Sequence, residues 1–323
     1  MDPHTFKFIA FTLFSVACFV LGYAARRRRW LDERHSRTVH FHTVVWVWSA
    51  GALVAVWKLP IEWQSAWLAP MLLALIAAPM FAMAGVARWM KLPGKRAGVM
   101  VLAAGFSNLG FTLGAYVAYL MVDHERALGY AGSLMALFSV LMVLLGYPVA
   151  RHYGSEAAGG QRLGTLMRQS LTSWTALPIY ASAAGLTLSV LHVPFPEALQ
   201  RYGVIDVLMF ITAFGGYFGV GMRVRFSENI GLWREHLVLT IFKFALAPAL
   251  ALLMVWLAGA THWPLHSAAV QVFMIDAFMP AGLTIVILAN VFHLDARYAG
   301  SLWVWNTLIF CAVVLPVIVL VMA

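Results

Sequence analysis

Ten apolar stretches, each of roughly the 20 residues a bilayer crossing needs, are joined by gaps too short to hold a soluble domain. They cover residues 6–25, 41–57, 67–87, 97–121, 127–150, 174–192, 203–221, 236–258, 266–292 and 296–322. Inside lipid a chain has no water to satisfy its backbone, so a run of this kind must become a helix. The expected fold is therefore all-α, a polytopic membrane protein of ten transmembrane helices. Composition agrees, with 62% hydrophobic and only 11% charged residues among 323, and a mean hydropathy of +0.82. So few charges cannot cover the surface of a soluble domain.

The formal net charge of +9 could suggest nucleic acid, but its distribution argues against such a partner. Of the 22 Lys and Arg, 17 fall in or beside the odd-numbered gaps, from Arg26–Arg29, Arg34 and Arg37 through to Arg297. The even-numbered side carries Lys7, Lys58, Arg126 and Arg201. Basic residues collect on the cytoplasmic side, so the odd gaps are expected there, and both termini outside a cell (inner) membrane. The cationic cluster at Arg26 follows the first apolar stretch instead of preceding it, which is not the signal-peptide order. Cys18 and Cys311 each lie within an apolar run, at no metal-ligand spacing.

An internal repeat organises the chain. Tyr130-Ala131-Gly132-Ser133-Leu134 recurs 168 residues later as Tyr298-Ala299-Gly300-Ser301-Leu302, and Pro148 recurs as Pro316 at the same offset. The offset lays the first five stretches on the last five. Five is odd, so the second copy is expected to cross the membrane the other way up. The predicted organisation is one five-helix repeat over residues 1–155, a cytoplasmic linker over 156–172, and an inverted five-helix repeat over 173–323. Inverted repeats build secondary transporters, with the solute near mid-depth where interrupted helices meet.

Helices four and nine are the predicted interrupted pair. Residues 105–114 place three glycines among Ser107, Asn108 and Thr112, weakening a helix while supplying polar groups at membrane depth. In the ninth stretch, Pro280 removes a backbone donor and should break the helix between Asp276 and Thr284. The repeat offset pairs Asn108 with Asp276, Thr112 with Pro280 and Gly114 with Gly282, which predicts a polar side chain one turn before each break. Asp276 lies roughly 15 Å into its span, where a carboxylate is costly unless neutralised, paired or hydrated. A structural Asp satisfied by freed backbone is the plainer alternative. Lys243 is expected to snorkel to the interface, with a fixed cation near an anionic solute or Asp276 as the other reading. His262 and His266 have metal-compatible spacing but no acidic neighbour, and His40 and His42 read as interface residues.

These motifs resemble the auxin efflux carrier family of membrane permeases, distant relatives of the bile acid:sodium symporters. The likeness lies in residues 105–114, in Met279-Pro280-Ala281 followed by Leu288-Ala289, and in Leu294-Asp295, Ala299, Thr307 and Leu315-Pro316. Two positions depart from the pattern: Ala115 lies where the family often has Pro, and Thr284 where it often has Asn. The resemblance implies efflux or uptake of small organic acids, and it places Asn108, Pro280 and Thr284 at the crossover site.

The expected function is secondary transport of a small organic anion by alternating access. The candidate site comprises Ser107, Asn108, Thr112, Gly114, Lys243, Asp276, Pro280, Gly282 and Thr284. No cofactor is expected beyond a coupling ion, Na⁺ or H⁺, and the partners are the solute and the bilayer, with a homodimer compatible. A membrane-embedded enzyme would need titratable side chains grouped on neighbouring helices, a pattern the stretches do not show. A sensor retaining a transporter fold is the remaining alternative.

Overall fold

The structure is a computed structural model. It describes residues 3–58, 67–109, 113–122, 124–154, 163–224, 230–261 and 265–322. Among them the ordered elements are helical apart from one isolated β-bridge. Seven helices are long and apolar enough to cross a membrane. They are α1 (Ile9–Arg27), α2 (Glu33–Trp57), α3 (Leu68–Trp89), α6 (Tyr130–Gly154), α10 (Val204–Gly221), α11 (Trp233–Gly259) and α14 (Ala296–Val321).

The other three expected spans take different forms. Stretch four is a pair, α4 (Gly94–Gly105) and α5 (Gly114–Met121). Stretch nine is also a pair, α12 (Ser267–Ala277) and α13 (Thr284–Val291). Stretch six is a single helix of 14 residues, α8 (Leu177–Val190), entered through the 3₁₀ turn Trp174–Ala176. Two short helices complete the chain: α7 (Leu163–Thr172) near the middle of the sequence, and α9 (Glu197–Arg201) before α10.

Proline shapes the long helices from within. Among the described residues five of them widen into a π turn, and three of these turns, at Met142–Gly146, Phe242–Leu246 and Phe310–Val314, precede a proline. Pro148, Pro248 and Pro316 follow each turn at its second succeeding residue. A proline has no N–H and its ring crowds the carbonyl four residues back. That carbonyl lies at the centre of each π turn, and the wider turn accommodates it. The turns at 142 and 310 are 168 residues apart, the spacing of the sequence repeat.

Packing divides the helices into two groups, each drawing on both halves of the chain. Helix α2 lies along α8, α1 along α10, and α10 touches α2. The second group is built from α3, α4, α5, α6, α11, α12, α13 and α14, where α3 lies on α4, α12 on α5 and α6, and α13 on α14. A buried apolar core running from Met71 and Leu102 to Val272, Leu288 and Leu302 holds this second group together.

The groups meet through polar contacts at the end carrying Glu33, Arg223 and Arg297. Asn290 of α13 donates from Nδ2 to Ser36 Oγ of α2 at 2.8 Å and faces His40 Nδ1 at 2.9 Å. Ser36 in turn donates to the Gly219 carbonyl at 2.7 Å. Since the amide can only donate, His40 Nδ1 must accept, which assigns the ring proton to Nε2, 3.4 Å from the Gly216 carbonyl. Beside this network Glu33 holds Arg223 at 2.8 Å and Arg297 at 2.9 Å. His40 is thus fully buried in a hydrogen-bond network, not an interface residue.

Candidate functional site

Both interrupted helices stop where their sequences cease to support a helix, and each break then satisfies the other. Helix α4 ends at Gly105, and Phe106 turns to an extended backbone with φ −87° and ψ 105°. Helix α12 ends at Ala277, three residues before Pro280. A helix end leaves backbone groups without partners, and inside a membrane water cannot supply them. Here the Asn108 N–H donates to the Pro280 carbonyl at 2.8 Å, and the Gly282 N–H donates to the Phe106 carbonyl at 2.9 Å. Ser107 and Ala281 lie opposite one another in the resulting antiparallel bridge. Pro280 contributes only its carbonyl, so its missing N–H leaves nothing unpaired. The Ala281 N–H donates to Asn306 Oδ1 of α14 at 2.7 Å. Gly282 is held tightly, since a Cβ there would stand 2.7 Å from the Ser107 carbonyl oxygen.

Lys243 lies behind this bridge. Its side chain is fully buried, and Nζ donates to Ser107 Oγ at 2.7 Å. The expected snorkelling is therefore overturned. Lys243 sits in the π turn that Pro248 imposes on α11, and its ammonium reaches across to the crossover. The Lys243 ammonium form can only donate, so with it Ser107 Oγ accepts, leaving the Ser107 hydroxyl proton available to an acceptor in front of it.

A small cavity of about 110 Å³ lies there, between the two helix groups. Ser107, Asn108, Ser139, Thr212 and Thr284 are its polar lining, and Phe11, Trp48, Met135, Phe138, Leu208 and Leu283 are among its apolar walls. Among the described residues no ionisable side chain lines it. From α2 it takes residues 47–55 and from α10 residues 205–212, so it lies away from the Glu33–Arg223 end. The Asn108 side chain is also a hydrogen-bond partner of the Tyr217 hydroxyl, tying the crossover to α10.

Asp276 occupies a separate place. It is 1% exposed, and among the described residues neither carboxylate oxygen has a hydrogen-bond partner. It adjoins the start of α5: a Cβ on Gly114 would stand 2.6 Å from Asp276 Oδ1 and 3.1 Å from the Asn108 carbonyl oxygen. Gly114 thus leaves the room that the carboxylate occupies, and the helix N-terminus favours a negative charge beside it. Asp276 does not line the cavity, and the ion pairs among the described residues do not join it to Lys243.

The structure brings Ser107, Asn108, Lys243, Pro280, Gly282 and Thr284 together, places Asp276 with Gly114, and leaves Thr112 and His262 outside the described residues. The pairing of Asn108 with Asp276 is corrected at the crossover. Asp276 stands in the last turn of α12, whereas Asn108 lies beyond the end of α4 in extended chain. Gly105 ends its helix earlier than the 168-residue offset implies, so the bridge opposes Ser107 to Ala281. His266 caps α12 through its Nδ1, which accepts from the Ala268 N–H at 3.1 Å. Among the described residues no three His, Cys, Asp or Glu side chains group as metal ligands.

Sequence reasoning missed Asn306, Asn290 and Tyr217. The first two are lone amides within apolar runs, a signal that could have marked them. Tyr217 carries no such mark, because tyrosines are common near membrane faces. Comparison with family models and with curated proteins finds no match to this chain.

Proposed function

We infer that the chain is a secondary carrier of a small organic anion, working by alternating access. The observation that carries this reading is the buried Lys243 ammonium, linked through Ser107 to a polar-tipped apolar cavity at the crossing of two interrupted helices. A buried cation costs several kcal/mol unless it is paired and hydrogen-bonded, and within a span such a residue marks a functional site. Here its hydrogen bond polarises a hydroxyl facing the cavity. A carboxylate in front of Ser107 would accept that hydroxyl proton and feel the lysine charge at short range. Asn108 and Thr284 would orient it, and the apolar walls would hold a short hydrocarbon body.

In this reading the ten stretches form five spans and five inverted spans, with both termini outside an inner membrane. The helix group of α1, α2, α8 and α10 is the scaffold against which the crossover group moves. The Asn290 network and the Glu33 ion pairs close the cytoplasmic mouth in this arrangement. Asp276, buried without a partner, is the coupling group for Na⁺ or H⁺. The resemblance to the auxin efflux carrier family points the same way, and the chain is read as a permease, not an enzyme.

Counterflow in proteoliposomes, screened over mono- and dicarboxylates, tests the reading. Lys243→Gln retains a donor for Ser107 but removes the charge, and it should reduce carboxylate exchange by about tenfold or more, as loss of about 1.4 kcal/mol would. Exchange at the unaltered rate in Lys243→Gln would remove the organic-anion assignment.

A further inference from the structure

A second, larger cavity of about 1730 Å³ opens at the Glu33–Arg223 end, between the same two helix groups. Six cationic side chains line it: Arg34, Arg37, Lys95, Arg151, Arg223 and Arg297. Three carboxylates share the lining, and each is already engaged. Glu33 holds Arg223 and Arg297. Asp295 holds Arg96 at 3.1 Å and caps α14 through the Tyr298 N–H. Asp32 caps the start of α2 and pairs with His35 at 2.8 Å. Among the described residues no ion pair neutralises Arg34, Arg37 or Arg151.

These cations are not merely scattered along a membrane face. They arrive from α2, the start of α4, the end of α6, the chain after α10 and the start of α14, and they converge on one concave space. The Arg151 guanidinium lies over the Phe292 ring, 5.1 Å from its centroid, and its Nε is buried without a hydrogen-bond partner among the described residues. His293, in the same wall, is held below its ordinary basicity first by burial and then by the charges of Arg37 and Lys95. Like charges crowded around a low-dielectric concavity repel one another and focus a positive potential into it. Removal of that repulsion would stabilise the assembly, and an anion of two or more charges does so best.

We propose that this basic vestibule is an anion site separate from the crossover cavity, and that it takes a multiply charged phosphate group, on a soluble molecule or on a lipid headgroup. Guanidinium forks match phosphate oxygens in pairs, and a lysine adds a point charge. The vestibule exceeds the span of roughly 300–1,000 Å³ usual for small-molecule pockets, so the phosphate can carry a sizeable remainder. Arg34, Arg37 and Arg223 belong to one helix group, while Lys95, Arg151 and Arg297 belong to the other. A bound phosphate would tie the groups together at this end and stabilise the arrangement seen here. The proposal does not depend on the transport reading.

Inorganic pyrophosphate is the probe. It is titrated against the purified full chain in neutral detergent, at ionic strength held constant with sodium chloride, and thermal stability is followed. Saturable stabilisation is expected, and Arg34→Gln combined with Arg37→Gln should raise the half-saturating concentration about tenfold, near 1.4 kcal/mol. Both arginines are exposed, and Arg37→Gln alone serves if the double variant does not fold. Arg201→Gln, at a position outside the vestibule, should bind as the unaltered chain does. Repetition in phosphatidylcholine nanodiscs with and without phosphatidic acid, whose phosphomonoester carries up to two charges, distinguishes the sources. Weaker apparent pyrophosphate affinity with phosphatidic acid, by a larger factor in the unaltered chain than in Arg37→Gln, supports a lipid headgroup as occupant, and an equal factor in both supports a soluble phosphate. Stabilisation that never saturates, or that survives unchanged in the arginine variants, would overturn the site.

Discussion

Asp276 shows how one side chain can be stable in sequence terms and unsatisfied in structure. Its two oxygens are buried without hydrogen-bond partners among the described residues, beside a glycine that leaves room for them. A buried ionised carboxylate left in this state would be costly, so in the proposed carrier the group is neutralised by a proton or a cation. Asparagine has nearly the same shape and no charge. Asp276→Asn should therefore melt no lower than the unaltered protein in detergent, while gradient-driven uptake disappears and solute exchange persists. Uptake that still follows the ion gradient in this variant would take Asp276 out of coupling. Lys243 is the complementary case, a buried amine whose hydrogen bond to Ser107 turns it toward the cavity.

The interrupted helices depend on each other for their backbone bonds. The bridge between residues 106–108 and 280–282 supplies partners that neither break could find in lipid. Asn306, from outside the two breaks, adds a side-chain acceptor for the Ala281 N–H. Asn306→Leu would leave that N–H buried and unpaired, at a cost of about 1–3 kcal/mol. A fall in melting temperature, with the detergent-solubilised protein still monodisperse, is the expected outcome. No change would mean that the amide finds another acceptor and that the crossover is less constrained than its geometry implies. Proline acts at this scale too: Pro148, Pro248 and Pro316 each set a π turn in a long helix, and the turn before Pro248 holds Lys243.

For the molecule as a whole, two groups of helices enclose a small cavity near the crossover and a large one at the basic end. Between the two lies the Asn290–Ser36–His40 network, with Glu33 bridging Arg223 and Arg297 beside it. Breaking this latch should let the groups separate at the basic end. In a background where Cys18 and Cys311 are replaced by Ser, Thr284→Cys reports on access to the crossover cavity. Adding Asn290→Ala should speed its labelling by a membrane-impermeant thiol reagent supplied from the basic side. Equal labelling with and without Asn290→Ala would mean that the network does not close the path.

The apolar lengths and the short gaps by themselves required a helical membrane protein, since no other backbone arrangement of such a chain is satisfied in lipid. Gly105, Pro280 and Gly282 also marked where two helices must fail, because glycine and proline act through local backbone energetics. The repeat spacing located both breaks, though it misaligned Asn108 with Asp276 by assuming that the two helices end at equivalent residues. What only the tertiary structure decided was pairing across distance. Lys243 could have reached water or the crossover, and the choice fell to the position of Ser107, which lies 136 residues away in sequence. Ser36, His40 and Asn290 read singly as unremarkable polar residues, and they became a network because α13 packs on α2. Periodicity and composition record whether a residue can be buried. They carry no information on which distant group it will meet there, and at this site the meeting determines the chemistry.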